Sequence, residues 1–131
     1  MTPHTIFLIV MGAPYESELT TTLFRLLDAA LARGHRLIVW SCGASTTLTL
    51  ESLGECKPRN VMRHEVVYPS TARLVRTMMA RYGERLEWHI CQQCMEERGT
   101  TGQIEGVRIQ PPFRFLRYLD QADVCMSMGI K

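Results

Sequence analysis

Two short apolar runs, each closed by glycine, frame the N-terminal third of the chain: "TIFLIVMG" over 5–12 and "HRLIVWSCG" over 35–43. Neither alternates apolar with polar residues, and continuous runs of this length predict strands buried on both faces, as in a parallel sheet. Between them Leu19, Leu23, Leu26, Leu27, Ala30 and Leu31 recur at helical spacing, with Gly34 placed as a stop. Strand, helix and strand in that order predict a right-handed parallel crossover. From Ala44 to Tyr68 the periodicity fades, broken by Gly54, Pro58 and Asn60, which predicts an irregular excursion with one short helical turn. Helical spacing returns through Leu74, Val75, Met78, Met79 and Tyr82, so a helix is predicted over 71–82 with Gly83 ending it. "RLEWHI" predicts a third strand, "GVRIQ" a fourth, "PPFRFLRYLDQ" a helix opened by proline, and "ADVCMSM" a fifth, buried strand. The expected fold is an α/β three-layer sandwich, a mainly parallel sheet of about five strands with helices on both faces, forming one domain over residues 1–131.

Composition narrows the function classes. A chain of 131 residues can bury a core without disulfides or a metal to staple it. A formal charge of +2 is too small to imply a nucleic-acid partner. The N-terminal apolar run covers only seven residues, Ile6 to Gly12, with no basic segment before it, and no later run approaches membrane-spanning length. Neither a signal peptide nor a membrane partner is expected, and the expected location is cytoplasmic. The five cysteines, at 42, 56, 91, 94 and 125, should then remain free thiols in a reducing compartment.

Chemistry concentrates in "WHICQQCMEERG", 88–99, where two thiols three residues apart lie at the junction of the third strand with a polar helix. In a parallel sheet, reactive groups collect beyond the carboxyl ends of the strands, and Cys91 falls there. A helix beginning at Gln92 makes Cys91 its N-cap, where unpaired N–H groups and the positive helix end favour a thiolate. Cys94 would lie on the same side of the first turn, within reach of Cys91 for attack or disulfide formation. The same residues admit other readings. His89, Cys91 and Cys94 offer three zinc ligands where a structural site needs four. A thioredoxin-like redox pair wants a proline just before a later strand, whereas Pro111 and Pro112 open a helix. Two thiols can also simply pack. No metal or cofactor is expected.

Neighbouring candidates carry the same ambiguity. "GAPY", Gly12 to Tyr15, follows the first strand on the same edge and could line the Cys91 pocket, or form only a tight turn; it lacks the glycine spacing of a dinucleotide site. Cys42 ends the second strand and is either another thiol of the pocket or a small buried residue. Arg98 either steers an anionic ligand toward the thiols or balances Glu96 and Glu97. Cys125, inside the fifth strand, and Cys56, in the excursion, are not expected to react. Met78 and Met79 fit a helix core stripe and Met126 and Met128 alternate in a strand, which points to packing rather than copper binding.

"ICQQCMEERG" resembles the segment of the DsrE-like sulfur-relay family in which a cysteine after isoleucine or leucine is followed eight positions on by a glycine, usually preceded by arginine; Cys91, Arg98 and Gly99 fill those places. "IVMGAPYESE" resembles the family's opening strand and loop, "ARGHRLIVW" the end of its first helix, and "LDQADVCMSM" its closing helix and strand, so the resemblance runs in order along nearly the whole chain. It implies a sulfurtransferase or sulfur carrier that accepts sulfur as a persulfide on Cys91. It also implies sulfur donor and acceptor proteins as partners and a trimeric or hexameric homo-oligomer. Some members lack a cysteine at the place of Cys94, which leaves open whether Cys94 resolves the persulfide. The alternatives are a non-catalytic, partner-binding subunit of the same fold and a CxxC thiol-disulfide redox protein.

Overall fold

The computed structural model describes residues 2–129. Its elements follow in the order β1 (Thr5–Met11), α1 (Leu19–Ala32), β2 (Arg36–Cys42), α2 (Thr71–Tyr82), β3 (Leu86–Cys91), α3 (Gln92–Arg98), β4 (Arg108–Gln110), α4 (Phe115–Gln121) and β5 (Val124–Met128). The strands form one sheet in the order β4-β3-β2-β1-β5. Every pairing in it is parallel.

This order fixes which face each helix covers. From β1 to β4 the chain steps across the sheet in one direction, and right-handed crossovers then bring successive helices to the same side. Leu23, Leu27 and Leu31 of α1, Ala72, Val75 and Met78 of α2 and Met95 of α3 accordingly join Leu8, Val10, Leu37, Val39, Trp88 and Ile90 in one core. Each fully buried leucine of α1 contributes about 1.5–3 kcal/mol relative to exposure. The step from β4 to β5 runs the other way and carries α4 to the opposite face. There Phe115, Tyr118 and Leu119 cover Phe7, Ile38, Trp40 and Cys91. The helices thus lie on both faces, in agreement with the pattern, but unequally.

The boundaries expected for α2 and for the first three strands agree closely with the structure. The excursion after β2 is more ordered than its weak periodicity suggests. Short 3-10 helices occupy Gly43–Thr49 and Glu51–Leu53. The first of them buries Ser45, Thr46, Leu48 and Thr49. Its hydrogen bonds are mostly local or made by side chains, so no apolar period marks it: Ser45 Oγ lies 2.7 Å from the carbonyls of both Val10 and Cys42. The helix opened by proline divides, with a 3-10 turn at Pro112–Arg114 leading into α4.

β5 departs from expectation. It is an edge strand, paired only with β1. Val124, Cys125, Met126 and Ser127 are exposed, and Met128 alone is half buried. Two faces of a strand are buried only when both are covered, and the seven-residue α4 is too short to do so. Met126 therefore does not pack in the core as expected. Among the described residues, no helix is long and apolar enough to cross a membrane.

Replacing Ser45 by alanine removes the hydroxyl that ties the end of β1 to the end of β2. Urea denaturation of Ser45→Ala is expected to show a loss of about 1–3 kcal/mol, the cost of unsatisfied buried groups. An unchanged midpoint would mean that the hydroxyl is dispensable.

Candidate functional site

Adjacent strands whose outgoing connections leave on opposite faces create a crevice beyond their carboxyl ends. Here those strands are β3, which leads into α3 on the first face, and β4, which leads into α4 on the second. Cys91 is the last residue of β3 and pairs with Gln110, the last residue of β4. It is also the N-cap of α3, as expected from a helix starting at Gln92. Gly99 closes that helix in the left-handed region at φ 65°, a conformation that costs a residue with a Cβ more than glycine.

Cys42 ends β2, one step past the Ser41–Ile90 pair that links β2 to β3. The sheet register thus delivers Cys42 beside Cys91, and the first turn of α3 returns Cys94 to the same spot. The three sulfur atoms lie within 4.8 Å of one another. Cys91 is 4% exposed, whereas Cys42 and Cys94 are partly exposed. An open cavity of about 410 Å³ reaches the cluster and is lined by Cys42, Cys91, Trp40, Pro112, Phe113, Phe115 and Leu116. Apart from the two thiols, its walls are apolar or aromatic side chains.

A polar network outside the cavity holds the two thiol-bearing loops together. Thr100 Oγ1 lies 2.9 Å from Thr46 Oγ1. The Gln103 amide donates to the carbonyls of Thr46 at 2.8 Å and Thr100 at 2.7 Å. These positioning residues carry no periodic signal; Thr46 leaves a trace in the run "GASTT" directly after Cys42, rich in small hydroxyl side chains, and Thr100 and Gln103 in the polar run "GTTGQ" after the helix.

Electrostatics overturn one expectation. Burial pushes the Cys91 thiol above its ordinary value of 9.0, against the pull of the Cys94 and Gln93 N–H groups. At rest Cys91 is a thiol, not the thiolate expected at a helix N-terminus. Burial likewise raises Cys42 to about 12; the Trp40 Nε1–H, 3.2 Å from its sulfur, opposes the rise and the neighbouring thiols add to it. The helix end is outweighed because α3 has only seven residues and its opening turn faces an apolar cavity.

The remaining candidates separate. Tyr15 is half exposed, lies under Lys57 Nζ at 5.5 Å from its ring centroid, and lines a different pocket with Phe24 and Asp28. Gly12 follows Met11, which pairs with Cys42, so it shares the carboxyl edge without lining the thiol cavity. Arg98 is half exposed, 4.0 Å from Glu97, with Nη2 3.8 Å from where a Cβ on Gly43 would lie. It flanks the loop after Cys42 and does not line the cavity. Cys125 is exposed on β5, and Cys56 is remote in the excursion.

His89 takes no part in the sulfur cluster. It is fully buried, its ring 4.3 Å from that of Tyr118, with Nε2 3.4 Å from Glu87. Burial lowers its pKa more than Glu87 raises it, so the ring is neutral. With Nε2–H turned to Glu87, Nδ1 is a buried acceptor without a partner. Glu87 also receives Arg36 and Arg108, each at 3.1 Å. Burial works to raise the Glu87 carboxyl, but His89 and the two arginines outweigh it and hold it below the usual range. A larger groove of about 1090 Å³ lies beside these charges at the amino ends of β2 and β3. Its lining mixes arginines with Glu84, Glu87 and Glu105 and contains no nucleophile, so the smaller thiol cavity is the stronger site.

The DsrE/DsrF-like family profile matches residues 4–127. No curated protein matches the chain in sequence. Among solved structures, the crystal structure of the ychN protein from E. coli superposes with a TM-score of 0.76 at 20% identity, over 95% of this chain and 99% of that chain. At that identity the likeness concerns the fold.

The raised pKa has a direct readout. Alkylation of Cys91 by iodoacetamide, followed by peptide mass mapping, is expected to accelerate with pH and to keep rising past 9.0. The sign follows from thiolate being the reacting form. A plateau near neutral pH would indicate an activated thiolate instead.

Proposed function

Because the chain belongs to the DsrE/DsrF-like family, which is associated with sulfur relay, we propose that it is a sulfurtransferase or sulfur carrier that holds sulfur as a persulfide on Cys91. The observation that carries this reading is the cluster of three thiols at the carboxyl edge of the sheet, two of which, Cys42 and Cys91, line an apolar cavity. Cys91 gives up its proton and attacks the outer sulfur of a donor persulfide. The donor's S–S bond breaks and its sulfur leaves as a thiolate that takes a proton, so one S–S bond replaces another with no net oxidation. Transfer onward repeats the exchange with an acceptor thiol. Since Cys91 is reached through the cavity, the donor and acceptor are proteins presenting a cysteine on a slender segment that passes the rim formed by Phe113 and Leu116.

Cys94 offers a second outcome. Its thiolate can attack the inner sulfur of the Cys91 persulfide, expelling hydrosulfide and leaving a Cys91–Cys94 disulfide that a dithiol reductant must reopen. The closeness of the sulfurs also favours a second reading, a thiol-disulfide redox protein using the same pair. The expected assembly is a trimer or hexamer, supported by two uncovered apolar features, Phe113 and Leu116 at the cavity rim, 79% and 63% exposed, and the exposed edge strand β5.

Three measurements test these proposals. Incubation with a persulfide donor and intact-mass analysis should show loading lost in Cys91→Ser and kept in Cys125→Ser; loading that survives without Cys91 would end the assignment. In the absence of an acceptor, Cys94→Ala should hold its persulfide longer than wild type if Cys94 resolves it, and equal lifetimes identify Cys91 as a sole carrier. Light scattering at micromolar concentration should give a multiple of the 15.0 kDa chain mass. A sharp monomer would contradict the assembly.

A further inference from the structure

We propose that Cys42, Cys91 and Cys94 also form a trigonal binding site for a soft monovalent cation, copper(I). The three sulfurs lie within 4.8 Å of one another. A metal-sulfur bond of about 2.3 Å sets the donors of a trigonal ion about 4 Å apart, so closing the site needs a contraction of under about 1 Å. Two of the donors terminate neighbouring strands and the third lies in the first turn of the helix that Cys91 caps, so the backbone holds them together before any ion arrives.

The donor set selects the ion. Thiolate sulfur is soft and suits copper(I), whereas zinc(II) in a structural site takes four ligands. The imidazole adjacent in sequence, His89, points its Nε2 at Glu87. The cavity walls, Trp40, Pro112, Phe113, Phe115 and Leu116, add no oxygen or imidazole donor to complete a tetrahedron. The CxxC segment alone offered His89, Cys91 and Cys94 as ligands; the fold replaces the histidine with Cys42 and so changes the preferred metal.

Each ligating thiol gives its proton to solvent and its sulfur lone pair to the cation, and copper stays monovalent throughout. The resulting negative charge is met by the Trp40 indole N–H, 3.2 Å from the Cys42 sulfur, and by the Gln93 and Cys94 N–H groups directed at Cys91. The site needs three sulfur lone pairs and no persulfide, so it stands independently of sulfur transfer.

The test is an anaerobic titration of the reduced protein with the acetonitrile complex of copper(I), in competition with bicinchoninate. One copper per chain is expected. Cys42→Ser, Cys91→Ser and Cys94→Ser should each weaken binding by about tenfold or more, a loss already reached at metal sites by changing a group that only hydrogen-bonds to a ligand. Cys56→Ser and Cys125→Ser should match wild type. Wild-type affinity in Cys42→Ser, or displacement of copper by equimolar zinc(II), would overturn the assignment. X-ray absorption of copper-loaded wild type gives a readout that does not depend on the variants folding. Three sulfur neighbours at a single distance support the site, and two overturn it.

Discussion

Five parallel strands present two apolar faces to be covered, and the distribution of helices between those faces governs the rest of the molecule. Three crossovers in one direction place α1, α2 and α3 on the first face, where they build a close-packed core. Only the last crossover turns back, and it brings a helix of seven residues to the second face. Such a helix is about 10 Å long and cannot cover five strands. The uncovered part is the cavity over Trp40, Cys42 and Cys91. The same shortage leaves β5 exposed and Phe113 and Leu116 at the cavity rim. The candidate site and the candidate subunit interface are therefore consequences of one topological reversal.

The parts of this arrangement that could be read from sequence are those governed by local period. Continuous apolar runs located β1 and β2, the short segment "RLEWHI" located β3, and the spacing of Leu74, Val75 and Met78 located α2. Cys91 at a strand-to-helix junction was legible because both elements announce themselves within a few residues. Cys42 was visible only as a residue on the same edge. Its meeting with Cys91 depends on β2 lying next to β3 in the Ser41–Ile90 register, which no local pattern encodes. The exposure of β5 was illegible for the same reason, since an apolar run looks alike in a central strand and an edge strand whose cover is too short. Tyr15 and Cys42 both follow strands on the carboxyl edge, yet only Cys42 reaches the cavity.

The raised pKa of Cys91 is a contest of magnitudes. The end of a short surface helix is worth about 0.3–1 kcal/mol to a nearby charge, less than the roughly 1.4 kcal/mol of one pKa unit. Removing a thiolate from water in an apolar pocket can shift a pKa by several units. Burial therefore wins at Cys91, and more strongly at Cys42, where the Trp40 N–H is not enough to reverse it. The helix end is legible in the sequence, whereas the wall of aromatic and aliphatic side chains contributed by α4 and the turn before it, which outweighs it, is not.

The raised pKa values of Cys42 and Cys91 also explain how two thiols can line an apolar cavity without destabilising the fold. Protonated cysteine behaves as a small hydrophobe, so the buried Cys91 and the partly buried Cys42 pack in the cluster of Trp40 and Phe115. Three thiolates within 4.8 Å would repel one another and demand solvation that the cavity does not provide. Removing the protons is favourable only when something else takes the sulfur lone pairs, either an incoming sulfane sulfur that forms a covalent bond or a soft cation that forms coordinate bonds. Both are large, polarisable and weakly hydrated, and both suit a cavity whose walls offer no competing oxygen ligand. On the two proposed readings, the apolar lining that raises the thiol pKa values at rest also favours sulfur and soft metal over water and hard ions.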